Sequence, residues 1–176
     1  MIENQYPIGA FEERPFTDRL KEECLGVIRF LPGMVEAAIA NLDEAQLQTP
    51  YREGGWTVHQ LVHHIADSHL NAYTRFKLGL TEETPLIKSY DEGAWAQLED
   101  VISLPVNISV TLLFALHARW YAAIKDLDEK EWSRTILHPV TGLPRPLSYY
   151  LQQYAWHGKH HVAQINFLRE KRKWNH

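Results

Sequence analysis

The chain of 176 residues is 45% hydrophobic and 23% charged, which is typical of a globular protein, and its length fits a single domain spanning residues 1–176. A formal net charge of −4, and the lack of any apolar run near about 18 residues, exclude nucleic acid and membranes as expected partners. The only cysteine, Cys24, excludes an intramolecular disulfide, and with no secretion signal at the N-terminus we expect a cytoplasmic protein.

The chain begins with a segment that we expect to be extended. Residues 1–15 carry two prolines, which fix the backbone and remove hydrogen-bond donors, so we predict an extended arm that lies over the domain. An amphipathic pattern then starts at Thr17 and keeps the same period beyond Pro32 as far as Leu42. It predicts one long helix kinked at Pro32, with two shorter helices as the alternative. Residues 43–55 are predicted to form a turn and a loop.

The second helix has the clearest start in the sequence, because Thr57 and Gln60 form a capping box, and its apolar stripe continues to about Leu80. A row of polar residues runs beside that stripe. This polar row consists of Thr57, His64, Ser68, Asn71 and Arg75. Such a row is more often exposed surface than part of a cavity, so we predict exposed surface, with a polar cavity as the alternative. His69 lies near the centre of the stripe, where we expect a core histidine with a hydrogen-bond partner.

A long connection separates the second helix from the third. Residues 81–106 contain prolines and are predicted to be irregular apart from a short helix at residues 91–99; connections of this length often cover sites. The third helix is predicted at about residues 107–126. Its apolar face consists of Leu112, Leu116, Trp120 and Ala123. On this pattern His117 lies well off that face.

The last part of the chain contains a predicted β-hairpin followed by a long helix. Residues 134–147 have β-branched side chains around a Thr141-Gly142 turn, which predicts a small hairpin. The fourth helix then extends from Leu147 to about Arg172. Four long amphipathic segments favour an all-α four-helix bundle, in which facing helices can carry ligands into the interior.

Two histidines of the last helix form a candidate metal site. His157 and His161 lie one turn apart, as two imidazoles must to bind one ion, whereas His160 and Trp156 point elsewhere. Gly158 replaces a helix former that would be favoured by about 1 kcal/mol, so a metal or a neighbouring helix is expected to approach closely there. A third ligand has to come from another helix. The second helix offers His59, His63, His64 and His69, and periodicity does not choose among them. Three histidines and one water are typical of a catalytic zinc site, and buried histidines satisfied by hydrogen bonds are the alternative.

The two histidine segments, residues 54–71 and residues 156–161, together resemble the YfiT group of the DinB-like superfamily. The resemblance extends over nearly the whole chain, and it implies a four-helix bundle, often dimeric, with a divalent ion held by three histidines. Carried over to this sequence, the implied ligands are His64, His157 and His161, with one ion per chain, zinc or alternatively nickel. Gln164 stands where relatives can carry a further histidine.

The resemblance implies a metal-dependent hydrolase in which the ion activates water for attack on a small electrophilic substrate. Two alternatives stay open: a thiol S-transferase that activates a low-molecular-weight thiol, and a non-enzymatic binding or dimerisation module with a structural metal. Asp67 is a candidate catalytic residue, as a partner of a ligand or a proton acceptor, although an exposed aspartate is the commoner case. Arg75 is a candidate for binding an anionic group of the substrate, with a surface ion pair as the alternative. The resemblance also implies a homodimer, and we expect a small-molecule substrate.

Overall fold

Four long helices dominate the computed structural model, which describes residues 5–174. They are α1 (Asp18–Ile39), α3 (Val58–Thr81), α6 (Val106–Ile124) and α8 (Leu147–Arg172). The connections contain the short helices α2 (Glu44–Leu47), α4 (Glu92–Trp95), α5 (Glu99–Ser103) and α7 (Glu129–Trp132). Strand β1 (Thr135–Leu137) pairs antiparallel with β2 (Pro144–Pro146) directly before α8. This arrangement confirms the predicted all-α four-helix bundle with a small β-hairpin ahead of the last helix, whereas a single domain over residues 1–176 stays a prediction.

The helices pack so that α1 and α3 each contact both α6 and α8. At the interface of α1 with α8, a Cβ added to Gly158 would lie 2.4 Å from the Cδ2 atom of Leu31, which is closer than any stable contact. The close approach predicted at Gly158 is therefore made by a neighbouring helix and not by a metal. The close contact at Gly158 does not involve the interface of α3 with α8, into which histidines of both helices point. A membrane-spanning segment is not found among the helices of residues 5–174.

The first helix is continuous through Pro32, so the alternative of two shorter helices is wrong. Thr17 is the N-cap of this helix and accepts a hydrogen bond from the Leu20 amide, the usual role of threonine at that position. The helix ends at Ile39 and not at Leu42, because Asn41 adopts a left-handed backbone with φ of 61°. A kink at Pro32 stays a prediction.

The connections contain more helix than the sequence predicts. Residues 43–55, predicted as a turn and loop, include α2, which begins with a capping box between Asp43 and Gln46. Residues 81–106 contain two short helices, α4 and α5, where one was predicted. Each correction concerns a helix of four or five residues, whose apolar pattern is too short to be recognised.

The predicted apolar face of the third helix is confirmed at Leu116 and Trp120, which are buried, and is wrong at Leu112. Leu112 is 42% exposed, whereas Leu113 and His117 are buried. Because α6 packs against both α1 and α3, a wide arc of it is covered, and periodicity centred on one face misplaces the arc. His117 is therefore a core residue, contrary to the prediction.

The N-terminal arm, of which residues 5–15 are described, lies along α8. It starts with a turn in which the Gly9 amide donates to the Tyr6 carbonyl, so its first residues are not extended. The indole of Trp156 donates to the Gly9 carbonyl at 3.2 Å, and the Arg14 amide donates to Gln152 at 2.9 Å. The prediction that the arm lies over the domain is confirmed for these residues, and residues 1–4 lie outside the described part.

Candidate metal centre

Three histidines from two helices converge at the interface of α3 with α8. The Nε2 atom of His157 lies 3.2 Å from Nε2 of His64 and 3.1 Å from Nε2 of His161. The potential ligand atoms of these residues all lie within 4.8 Å of one another. His157 and His161 share one side of α8 because they are one turn apart, and His64 reaches them from α3. The structure thus brings together the three histidines that the resemblance implies as ligands.

Burial keeps these three imidazoles neutral. It lowers the pKa of His64 to about 4, because desolvation penalises the charged form. Burial also lowers the pKa of His157 and His161 well below the ordinary histidine value, and the charge that a neighbouring imidazolium would carry lowers both further. Neutral imidazole is the form of histidine that binds a metal.

A chain of hydrogen bonds fixes the tautomer of His157. It starts at the Ile28 carbonyl, which can only accept, so Nδ1 of His117 carries the proton of that bond. Nε2 of His117 must then accept from Nδ1 of His69, 3.0 Å away. Nε2 of His69 must in turn accept from Nδ1 of His157, 3.3 Å away. The Nε2 atom of His157 is therefore unprotonated, and it faces His64 and His161.

A glutamine fixes the tautomer of His161 in the same way. The Gln164 amide nitrogen donates to the Gln5 carbonyl at 3.0 Å and to Nε2 of His160 at 2.9 Å. The Gln164 oxygen therefore faces Nδ1 of His161, 2.8 Å away, and accepts its proton. As in His157, the proton is held on Nδ1 and the lone pair is left on Nε2.

The contact between His157 and His161 is consequently not a hydrogen bond. Two lone pairs face each other at 3.1 Å with no proton between them, an arrangement that a shared cation would stabilise. Three neutral imidazoles are also the donor set of an open zinc site, with a position left for water. Within residues 5–174 the cluster has these three members, so the residues present fit one divalent ion with an open position.

The other candidate histidines of α3 have different partners. His59 bonds to the Val101 carbonyl at 2.8 Å, and His63 bonds to the Ser109 hydroxyl at 2.8 Å and the Leu104 carbonyl at 3.1 Å. Both therefore hold α5 and the start of α6 against α3. His69 is fully buried and bonded, which confirms the prediction of a core histidine. The sequence-based prediction missed its partner His117, although a stripe drawn through Val110, Leu113, Trp120 and Ile124 at helical spacing includes position 117.

Asp67 is half-buried on α3, so the commoner case of an exposed aspartate does not apply. Burial raises the pKa of its carboxyl to about 6, and the negative charge of Asp100 contributes in the same direction. In the described part of the chain, no hydrogen bond joins this carboxylate to His64, His157 or His161. A partner role toward a ligand is therefore not seen, and its role as a proton acceptor stays a prediction.

A cavity of about 300 Å³ opens beside His157 and is referred to below as the His157 cavity. Ser68 and Arg75 of α3 line it together with Tyr90 and Tyr154. The prediction that the polar row of α3 is exposed surface is thus wrong, because α8 and part of the connection 81–106 pack against it. Larger cavities of about 410 and 760 Å³ lie near the arm and near α7, but neither touches a histidine of the cluster.

Residues 28–165, most of the chain, match the sequence model of the DinB superfamily. The chain belongs to the DinB superfamily. One DinB-like relative, a Bacillus cereus (strain B4264) protein named "Putative metal-dependent hydrolase", is 46% identical over 175 residues, covering 99% of this chain and 100% of the relative. A relative of that name from Bacillus thuringiensis subsp. konkukian (strain 97-27) has the same identity and coverage.

Solved structures agree with this membership of the DinB superfamily. YfiT from Bacillus subtilis, described as "a probable metal-dependent hydrolase with an unusual four-helix bundle topology", is 41% identical, with a TM-score of 0.95 over 99% of this chain and 100% of YfiT. A mycothiol-dependent maleylpyruvate isomerase is 22% identical, with a TM-score of 0.64 over 82% of this chain and 60% of that protein, and shares the fold. The resemblance to the YfiT group is confirmed.

Proposed function

We propose that this protein is a metal-dependent hydrolase that binds one divalent ion per chain through His64, His157 and His161. The observation that carries the proposal is the 3.1 Å approach of two unprotonated Nε2 atoms, those of His157 and His161, at a buried site. The name of the relatives that are 46% identical over the full chain supports the hydrolase class.

A divalent ion with three imidazole ligands and an open position lowers the pKa of bound water and polarises a carbonyl group. The residues of the chain provide the conditions for this chemistry. His69 and Gln164 hold two of the ligands in the required tautomer. The His157 cavity has room for a small molecule, and Ser89, Tyr90 and Glu92 of the connection 81–106 form part of its lining. We propose Asp67 as the proton acceptor, because a carboxyl with a pKa of about 6 can take up and release a proton near neutral pH.

The ion and the assembly form part of the same proposal. We propose zinc as the ion, with nickel as the alternative, since imidazole ligands suit both metals. We also propose a homodimer located in the cytoplasm. Elemental analysis of protein purified without chelator or metal-affinity resin tests the ion, and light scattering tests the dimer. A metal content far below one mole of ion per mole of chain would overturn the proposal of one bound ion per chain.

A substrate panel tests the reaction class. Purified protein is incubated with esters and amides, and separately with monochlorobimane and low-molecular-weight thiols. Metal-dependent hydrolysis that is lost in His161→Ala is the expected result. Conjugation of thiol without hydrolysis would overturn the hydrolase and identify the thiol S-transferase. Tightly bound metal without turnover in either assay would identify a binding module with a structural metal.

A further inference from the structure

The His157 cavity contains a cation that no carboxylate neutralises at contact distance. Arg75 lines the cavity from α3. Among residues 5–174, none of the ion pairs closer than 4.0 Å includes Arg75, so the alternative of a surface ion pair is not seen. A half-buried arginine without a carboxylate partner is costly unless something else stabilises its charge.

Two of the three guanidinium nitrogens of Arg75 have partners, whereas the third, Nε, has none. Nη1 of Arg75 donates to the Tyr154 hydroxyl at 2.5 Å, and Nη2 donates to the Lys88 carbonyl at 3.0 Å. Nε is buried and has no hydrogen-bond partner. Because these bonds hold the guanidinium in place, its unused N–H groups are oriented before any ligand arrives, which favours charge-assisted hydrogen bonds to an anion.

Hydroxyl groups of the same cavity can add further donors. The Tyr154 hydroxyl accepts from Arg75, so its own proton is free to be donated. Tyr90 brings a buried hydroxyl close to Ser68, whose hydroxyl interacts with it. Burial raises the pKa of Tyr154, and therefore its hydroxyl is a proton donor at every physiological pH.

One acidic residue lines the same cavity and limits what can bind. Among residues 5–174, Glu92 forms no ion pair with Arg75 within 4.0 Å. Burial raises the pKa of its carboxyl, and the positive charge of Arg75 acts in the opposite direction. Glu92 thus partly offsets the positive potential but uses none of the guanidinium donors. A compact anion at Arg75 is favoured over a polyanion that would extend toward Glu92.

We propose that the His157 cavity binds the carboxylate end of a small substrate through Arg75 and Tyr154, with the electrophilic group of the same molecule beside His157. A cavity of about 300 Å³ is at the small end of ligand pockets and fits a short acyl compound. The inference rests on the proposed hydrolase function and names its class of substrate. It assigns specificity for a negative charge to a side chain that is not a metal ligand.

The test uses a matched pair of esters, mono-4-nitrophenyl glutarate and its neutral methyl ester, with the zinc-loaded protein. We expect kcat/KM to be higher for the charged ester. Arg75→Gln should lower kcat/KM for the charged ester by about 10- to 100-fold, the usual effect of losing a charged hydrogen bond, with little change for the neutral ester. A purely structural role of Arg75 would lower both values equally, and equal loss would overturn the proposal.

Arg134→Gln provides the matched control. Like Arg75, Arg134 donates two hydrogen bonds, in this case to the backbone carbonyls of Gly79 and Glu82, but it lies outside the His157 cavity. Its replacement removes similar structural hydrogen bonds, and it should leave the ratio of kcat/KM for the charged ester to kcat/KM for the neutral ester unchanged.

Calorimetric titration with glutarate separates this inference from the hydrolase proposal. If the wild-type protein hydrolyses neither ester but binds glutarate, and Arg75→Gln alone weakens that binding by tenfold or more, the hydrolase proposal fails and the carboxylate site stands. Glutarate binding that is absent, or equal in the wild type and Arg75→Gln, would overturn the carboxylate site even if ester hydrolysis is observed.

Discussion

The Nε2 atoms of His157 and His161 face each other at 3.1 Å across one turn of α8, and each has its proton held on Nδ1 by a different partner. In the absence of an ion, two lone pairs are buried against each other. A cation that binds both relieves this repulsion and joins α8 to His64 of α3. Metal binding and folding are therefore expected to be thermodynamically coupled.

The first prediction concerns the effect of metal on stability. Because an ion at this site binds the folded chain and not the unfolded one, zinc at about 100 times its dissociation constant should stabilise the protein by about 2.7 kcal/mol. Thermal unfolding in zinc and in EDTA measures the difference. His161→Ala should lose the zinc-dependent shift in Tm. An equal shift in that variant would show that zinc acts elsewhere.

The second prediction concerns stability at acidic pH in metal-free protein. Burial lowers the pKa of His64 and His117 to about 4 in the folded state, against an ordinary value of 6.5. Between these values the unfolded chain binds more protons, so the free energy of unfolding should fall as the pH falls from 6.5 to 4. Asp67, with its pKa raised to about 6, and Glu92, whose pKa burial also raises, oppose this trend but are fewer than the buried histidines. Urea unfolding at several pH values measures the slope.

His117→Gln tests the origin of that slope without touching the three proposed ligands. The amide can still donate to the Ile28 carbonyl but cannot titrate. The slope of the unfolding free energy against pH should decrease by an amount that corresponds to at most one bound proton. An unchanged slope would mean that His117 does not contribute.

The third prediction concerns the bond between His69 and His157. His69→Phe removes the acceptor of the Nδ1 proton, so the tautomer of His157 is no longer fixed, and zinc affinity should fall by about 10- to 100-fold. His69→Gln, whose oxygen can accept that proton, should recover part of the loss. Competition with a chromophoric chelator measures the affinity.

His63→Phe is the control for that experiment, since His63 is also buried on α3 but bonds to Ser109 and the Leu104 carbonyl. We expect it to lower stability and to leave zinc affinity within a few-fold of wild type. A comparable loss of affinity in both phenylalanine variants would indicate a general effect of helix packing.

The fourth prediction concerns the close packing of α1 against α8. Alanine at Gly158 gains about 1 kcal/mol of helix propensity, but its Cβ would lie 2.4 Å from Leu31, and overpacking costs about 1–3 kcal/mol. We therefore expect Gly158→Ala to be destabilising in chemical unfolding. Gly26→Ala, in the helix α1 where an added Cβ meets no atom within 4 Å, should be stabilising. Leu31→Ala should remove the penalty of Gly158→Ala; independent effects would refute the packing explanation.

The sequence predicts well what local chemistry determines. The start of α3 follows from the capping box of Thr57 and Gln60, and the spacing of His157 and His161 places both on one side of α8. The choice of His64 over its neighbour His63 is different, because both are buried and polar and only the resemblance distinguishes them.

What the sequence did not predict depends on contacts between distant segments. The polar row of α3 is covered by α8 and by part of residues 81–106, and periodicity along one helix carries no information about segments that pack against it. His117 was placed off the core for a related reason, since the buried arc of α6 depends on its two neighbouring helices. The hydrogen-bonded chain from Ile28 to His157 joins all four long helices and has no signature in any one of them.

The described start of the chain has a role that its irregular backbone does not suggest. The Gln5 carbonyl is bound by the Gln164 amide, and this bond determines which end of that amide faces His161. Removing the N-terminal residues through Gln5, for example to improve crystals, would allow the side chain of Gln164 to rotate. The truncated product would be expected to lose zinc during dialysis, although every coordinating residue is still encoded.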